Sequence, residues 1–90
     1  MLRFSLGQTV ATPGALEALI EANQIPLALL ARHASGDWGE VCDDDKECNN
    51  AALEDGCRLL SAYTLTTGVK VWIITEWEHS ETTILLPIES

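Results

Sequence analysis

Basic residues are scarce in this sequence, and their scarcity limits what the protein can bind. Lysine and arginine number 5 against 14 aspartates and glutamates, which gives a formal net charge of −9 over 90 residues. The cations are scattered along the chain, so they cannot form a stripe that follows a phosphate backbone or an anionic membrane. The composition therefore disfavours direct binding to nucleic acid or a membrane, and it favours a protein partner with a basic surface.

Cysteine is also scarce, and its spacing excludes the usual small-protein scaffolds. Cys42, Cys48 and Cys57 are an odd number at irregular intervals, unlike a disulfide framework or a paired zinc knuckle. The acids between residues 43 and 47 are superficially similar to a calcium loop, but Cys48 stands where such a loop requires glycine. We therefore predict neither a metal nor a cofactor.

Long apolar runs, linkers and internal repeats are absent as well. No apolar run approaches the roughly 20 residues that a membrane-spanning helix needs. The N-terminal stretch MLRFSLGQTV is too short and too polar for a secretory signal. A chain of 90 residues with 47% hydrophobic residues suits one folded domain over residues 1–90. We therefore expect a single cytoplasmic domain.

Boundary signals predict three helices in the first two thirds of the chain. Two helices begin at Pro13 and Pro26, because proline at the first helical position loses no hydrogen bond. A capping box at residues 44–47 predicts a third helix over about residues 45–55, with Gly56 as its C-terminal cap. The first two helices would form an α-hairpin.

Alternating apolar residues predict strands at both ends of the chain. Residues 2–6 alternate and would form an N-terminal strand. Residues 58–65 and 69–78 have the same two-residue period, and residues 82–86 follow as a last strand after a short turn, which predicts a three-stranded antiparallel β-meander. The expected fold is α+β: the N-terminal strand, the α-hairpin, the third helix and then the meander, with the helices packed on one sheet face.

One group of residues has the chemistry that an enzyme would need. A histidine near the end of the second helix can transfer protons near neutral pH, and polar groups on the sheet can line a cleft beside it. The candidates are His33, Tyr63, Thr75 and Glu76. In the order of elements alone, the chain resembles small ribonucleases of the barnase, RelE and EndoU type. Those enzymes need cations around the phosphate, which are few here, and His33 alternatively meets the dipole at its helix end.

The acidic residues are concentrated in one segment. Residues 37–55 contain eight acids and one lysine, so this segment carries −7 of the net charge. Helix capping explains single acids, but such a block can also imitate a row of phosphates. Trp38, between two glycines, is either a core residue or an exposed anchor. The candidates for partner binding are Asp37, Trp38, Glu40, Asp43, Asp44, Asp45 and Glu47.

Four segments of the sequence resemble a known family. They are RHASGDWG at 32–39, GCRLLSAY at 56–63, WIITE at 72–76 and TTILLP at 82–87. The family consists of short uncharacterised proteins carried on bacterial plasmids and integrative mobile elements, some of them labelled as related to restriction and modification. The resemblance covers nearly the whole chain. It implies an accessory of mobile DNA, for which binding a restriction or CRISPR component is one natural role.

The sequence thus favours a non-enzymatic, acidic protein-binding module from a mobile element, with inhibition of restriction or CRISPR systems as its role. Two alternatives stay open. One is a small ribonuclease-type domain that uses the histidine and the sheet residues. The other is a structural homodimer joined edge to edge.

Overall fold

The computed structural model describes residues 6–89, without the side chains of residues 54 and 55. It confirms an α+β fold of three helices and a four-stranded sheet. The elements in chain order are β1 (Gln8–Ala11), α1 (Pro13–Glu21), α2 (Pro26–Ala34), α3 (Asp43–Asp55), β2 (Leu59–Thr64), β3 (Lys70–Thr75) and β4 (Glu81–Leu85). The strand predicted at residues 2–6 lies outside the described residues, apart from Leu6.

The sheet has the strand order β1-β4-β3-β2. Strands β2, β3 and β4 are antiparallel neighbours and form the predicted meander. Strand β1 runs parallel to β4 at one edge, so the sheet is mixed. The opposite edge, β2, is partly covered because Glu40 donates its backbone N–H to the carbonyl of Ala62 at 2.7 Å.

The helices begin and end largely where their boundary residues indicate. The Thr12 hydroxyl caps α1 by accepting from the Ala15 N–H at 3.2 Å, and Gly56 ends α3 in the left-handed conformation at φ 73°. The capping box predicted at residues 44–47 does not form, because α3 begins two residues earlier and its N-cap is Cys42. Three aspartates then occupy the first turn, where the positive end of the helix dipole stabilises them.

Strand β3 is shorter than its sequence pattern predicts. Alternation continues to residue 78, but the strand ends at Thr75 and a turn of 3₁₀ helix follows at Trp77–His79. The Glu78 N–H donates to the Gly56 carbonyl at 2.6 Å, and Glu78 takes a φ of 58°. Glu76 still donates its N–H to the Glu81 carbonyl at 2.8 Å, whereas Trp77 and Glu78 leave the sheet ladder.

All three helices lie against one face of the sheet, which we call the inner face. Helices α1 and α2 cover its larger part, and α3 covers the region beside Leu59 at the β2 edge. The main core is formed by apolar residues from α1, α2 and the strands: Ala15, Ala18, Leu19, Ala22, Leu29, Leu30, Tyr63, Leu65, Val71, Ile73 and Ile84. A second, smaller core consists of Trp38, Ala52 and Leu59. Polar inner-face residues lie between these two cores.

Candidate functional site

His33 lies at the end of α2 and is fully enclosed between the helix and the inner face. Its side chain is 0% exposed. The ring Nδ1 lies 2.5 Å from the Ser61 hydroxyl of β2, and Nε2 lies 2.9 Å from the Thr75 hydroxyl of β3. The Trp38 ring meets the imidazole edge to face, with centroids 5.6 Å apart. The imidazole therefore links α2 to two strands and borders the smaller core.

The hydroxyl groups extend this contact into a chain of hydrogen bonds across the sheet. Thr75 and Thr82 oppose each other on β3 and β4, and their hydroxyl oxygens are 2.9 Å apart. The Thr82 hydroxyl donates to the Leu6 carbonyl at 2.6 Å. We call Ser61, His33, Thr75 and Thr82 the buried polar row, because all four side chains are buried.

The hydrogen bonds of the buried polar row determine the tautomer and the charge of His33. A hydroxyl has one proton, and Thr82 gives its proton to Leu6, so Thr75 must donate to Thr82. The Thr75 oxygen then accepts from His33, which places the ring proton on Nε2. A neutral imidazole accepts at Nδ1, so Ser61 donates there. Every member is satisfied with a neutral histidine.

The electrostatic surroundings favour this neutral form. Burial, with a smaller contribution from the charge of His79, lowers the pKa of His33 from 6.5 to about 4. The ring is therefore uncharged near neutral pH. Its hydrogen bonds run to the sheet, so it does not serve as a charged cap for the end of α2.

The four residues proposed for catalysis do not converge. The structure brings His33 and Thr75 together and adds Ser61, which was not one of the four. Tyr63 instead donates its hydroxyl to the Asp37 carbonyl at 2.5 Å, and burial raises the pKa of Tyr63 to about 12. Glu76 lies on the opposite sheet face, where it pairs with Arg58 at 2.9 Å.

The acidic candidates lie outside this closed region. Asp37 accepts from the Arg32 guanidinium at 2.8 Å, and this hydrogen bond holds the pKa of the carboxyl below its ordinary value. The hydrogen bond from Thr64, with the charge of Lys70, lowers the pKa of Glu40. The charges of these two acids are thus partly balanced by neighbouring cations.

The acids of α3 have a different environment. Asp43, Asp44, Asp45 and Glu47 are all exposed and lie in the first two turns of the helix. Within the part of the chain that the structure describes, the ion pairs are Arg32 with Asp37 and Arg58 with Glu76. Neither ion pair uses an acid of α3. We call these four side chains together with Asp37 and Glu40 the acidic surface.

Trp38 is a core residue and does not lie on the acidic surface. The side chain is 4% exposed and packs with Ala52 and Leu59, while its Nε1–H donates to Asn50 at 3.1 Å. The following Gly39 approaches β2 so closely that a Cβ would lie 2.1 Å from the Ala62 carbonyl. Of the two roles open to Trp38, the structure therefore assigns the core one and corrects its assignment as a partner contact.

Asn49 has a structural role that sequence reasoning missed. Its amide accepts from the Leu60 N–H at 3.1 Å and donates to the Leu60 carbonyl at 2.7 Å, so it completes the backbone pairing of the β2 edge. The residue is 4% exposed. The sequence signal for this role is an asparagine within an acidic helix. Its burial is visible only in the structure. The contact fixes α3, and with it the acidic surface, to the sheet.

None of the helices over residues 6–89 is long and apolar enough to cross a membrane. In that same range, no three histidine, cysteine or acidic side chains are grouped so that they would hold a metal ion. The chain matches no family model, no curated protein and no solved structure.

Proposed function

We propose that this protein is a non-enzymatic binding module whose acidic surface binds a protein partner with a basic surface. The observation that carries the proposal is the exposure of Asp43, Asp44, Asp45 and Glu47 on one helix with no described cation paired to them. Like charges held together repel each other unless solvent or a partner offsets the repulsion. A cationic partner would gain that energy on binding.

The rigidity of the segment supports the same proposal. Trp38 anchors the loop before α3, and Asn49 anchors the helix to β2 through two hydrogen bonds. Carboxylates on an anchored helix lose less conformational entropy on binding than carboxylates on a mobile loop would lose. The backbone that carries the acids is therefore held in place.

The partner class follows from the chemistry of carboxylates. A cluster of anions on one helix can occupy a groove that ordinarily binds the phosphates of nucleic acid, and it would compete with DNA there. Restriction enzymes and CRISPR effectors have such grooves, and they are the partners implied by the resemblance to mobile-element proteins. We propose inhibition of such a host-defence protein as the biological role of this module.

The ribonuclease alternative has less support. His33, Ser61 and Thr75 are within hydrogen-bonding distance, as catalysis would require. All three are 0% exposed, and the hydrogen bonds along the row already use the protons of both hydroxyls and both ring nitrogens. The row itself contains no cation to stabilise a phosphate transition state. An RNA substrate would have to displace α2 to reach these groups.

The proposal is tested by DNA-cleavage assays with a panel of restriction endonucleases and CRISPR effectors. We expect the wild-type chain to inhibit at least one of them, with inhibition that weakens from about 50 mM to about 500 mM salt because the attraction is screened. Duplex DNA added in excess should relieve the inhibition by competition.

A pair of matched variants assigns the effect to the acidic surface. The D44N/E47Q variant removes two exposed charges from α3, and the E17Q/E21Q variant removes two exposed charges from α1. We expect only the first pair to weaken inhibition, by about tenfold or more. Equal effects of the two pairs, or inhibition that persists in D44N/E47Q, would contradict the proposed surface.

A further inference from the structure

Exposed apolar side chains are concentrated around the turn between α1 and α2. Ile20, Ile25 and Leu27 are 76%, 63% and 69% exposed, so each lies mostly in solvent. Single exposed apolar residues are ordinary on a protein surface, whereas a group of large aliphatic side chains marks a site of interaction. Val69, in the turn between β2 and β3, is exposed as well. We call these four side chains the apolar tip.

Hydrogen bonds hold the two turns of the apolar tip together. The Thr66 hydroxyl donates to the Ala22 carbonyl at 2.9 Å, and the Thr66 N–H donates to the Gln24 side chain at 2.9 Å. Because both bonds join the α1–α2 turn to the β2–β3 turn, the apolar side chains of the two turns lie at the same end of the sheet. The described chain begins at the other end, where the Leu6 carbonyl accepts from Thr82.

The acidic surface begins beside the apolar tip. The Glu40 carboxylate accepts hydrogen bonds from Thr64, the last residue of β2. Thr64 and Thr66 are two positions apart, which is about 7 Å along an extended chain. Helix α3 then begins at Asp43, shortly after Glu40. Carboxylates and exposed aliphatic side chains are therefore neighbours at this end of the molecule.

The other charges at this end leave it negative. Lys70 follows the β2–β3 turn and lies beside Glu40, whose charge offsets it. Lys46 lies within the acidic turns of α3, where the acids outnumber it. Glu17 and Glu21 of α1 add to the negative potential, although they lie outside both the apolar tip and the acidic surface. A cationic partner is therefore attracted to this end.

We propose that the apolar tip and the acidic surface together bind one partner, a protein segment that carries lysine or arginine beside large apolar side chains. This inference rests on the proposed function and adds an apolar half to its interface. Charges at the border of an interface mainly set the rate and orientation of binding, whereas buried apolar anchors contribute most of the affinity. An amphipathic basic helix has both kinds of group.

Charge also distinguishes this occupant from others. A second copy of the chain seated on the apolar tip would bring two acidic surfaces together, and each copy carries −9. An anionic membrane surface would be repelled in the same way. A segment that was apolar without cations would leave the neighbouring carboxylates of the acidic surface unpaired. The combination of cations with apolar side chains is therefore the chemistry that fits.

Two synthetic helical peptides of equal length and charge test the proposal. The leucine peptide has lysines on one face and leucines on the other, and in the alanine peptide an alanine replaces each leucine. Each is titrated into the isotope-labelled chain at about 150 mM salt and followed by NMR. We expect the leucine peptide to bind about tenfold or more tightly than the alanine peptide. It should shift the amide signals of residues 20–27 as well as those of residues 40–47, whereas the alanine peptide should shift mainly the latter.

The I25S/L27S variant removes the apolar contact and retains the helix start. Ile25 is the N-cap of α2 and makes no side-chain capping hydrogen bond, whereas serine is a preferred N-cap residue. On this variant the leucine peptide should lose its advantage over the alanine peptide. W77S is the matched control, because it removes a side chain that is 62% exposed just beyond the far end of β3. It should leave both affinities unchanged, and circular dichroism verifies that each variant is folded.

The D44N/E47Q variant separates this inference from the proposed function. It should weaken the binding of both peptides to the same extent, since both are attracted by the acidic surface. If the two peptides bind equally tightly and D44N/E47Q weakens both, the apolar tip is not a docking site and the acidic surface stands. If only I25S/L27S weakens binding, the acidic surface is contradicted instead.

Two further results would overturn the inference. The first is a leucine peptide that shows no saturable binding up to about 1 mM. The second is a chain that light scattering shows to be a dimer and that I25S/L27S converts to a monomer. That result would assign the apolar tip to contact between two copies of the chain.

Discussion

The buried polar row and the acidic surface are two polar regions of the same molecule with opposite environments. In the row, each hydroxyl and ring nitrogen has a partner inside the protein, and the histidine is neutral. On the acidic surface of α3, charged groups face solvent and take part in neither of the described ion pairs. The comparison indicates that the row stabilises the fold, whereas the surface is available to a partner.

The largest effect is expected from His33→Ala. The change opens a cavity beside Trp38 and removes the partners of two buried hydroxyls, on Ser61 and Thr75. We expect the free energy of unfolding to fall by about 4 kcal/mol, measured by urea denaturation. A loss below about 1 kcal/mol would mean that the row contributes little to stability, and the contrast with the acidic surface would fail.

The second effect is a dependence of stability on pH. The pKa of His33 is about 4 in the folded protein and 6.5 for an ordinary histidine, so the unfolded chain binds an extra proton between these values. Stability is therefore present above pH 6.5 and is lost as the pH falls from 6.5 towards 4. The full loss from this group is about 3 kcal/mol.

His33→Leu is the control for that pH dependence. Carboxyl groups also titrate in the lower part of this range, so the quantity to compare is the difference between the wild type and the variant. We expect the destabilisation between pH 6.5 and pH 5 to be largely absent in the variant. Equal slopes in the two proteins would show that His33 does not carry the effect.

Much of the fold can be predicted from the sequence, because local signals act within single elements. The starts of α1 and α2 at Pro13 and Pro26 follow from proline geometry, and the meander follows from alternation. The end of β3 cannot be predicted in this way. It depends on the bond between Glu78 and Gly56, which are 22 positions apart in sequence.

The candidate sites were also predictable only in part from the sequence. The sequence predicts a cleft lined by His33 and polar residues of the sheet, and the structure instead places Thr75 and Ser61 against the ring in a closed interior. Alternation shows which side chains share a face, but it does not show that α2 closes over that face. The burial of His33 depends on the packing of α2 against the sheet, and the core position of Trp38 depends on its contacts with α3 and β2. Residue chemistry was therefore predictable, and accessibility was not.

A smaller effect is expected from Ser61→Ala. The variant leaves Nδ1 of His33 without its donor, at a cost of about 1–2 kcal/mol in the free energy of unfolding. Ser35→Ala is a matched control, because its exposed hydroxyl donates to the Arg32 carbonyl at 2.8 Å. The control should change stability by less than about 0.5 kcal/mol. Equal losses would contradict the distinction between buried and exposed hydrogen bonds.

The smallest effect on stability is expected from D44N/E47Q. Asp44 loses its favourable interaction with the dipole of α3, while repulsion among the neighbouring acids is relieved. The two contributions oppose each other, so the free energy of unfolding from urea denaturation should change by less than about 1 kcal/mol. A larger destabilisation would mean that these acids are needed mainly for the helix, and it would weaken the proposed binding role.

The most direct test of the central contrast is a nitrogen-resolved NMR titration of the His33 ring between pH 7.5 and pH 4.5. The structure predicts a neutral ring with its proton on Nε2 and an unprotonated Nδ1, unchanged across most of this range because its folded pKa is about 4. A ring that titrates near 6.5, or that carries its proton on Nδ1, would contradict the account. Titration near 6.5 would show that the buried polar row is open to solvent and available for chemistry, and a proton on Nδ1 would show that its hydrogen bonds run in the opposite direction.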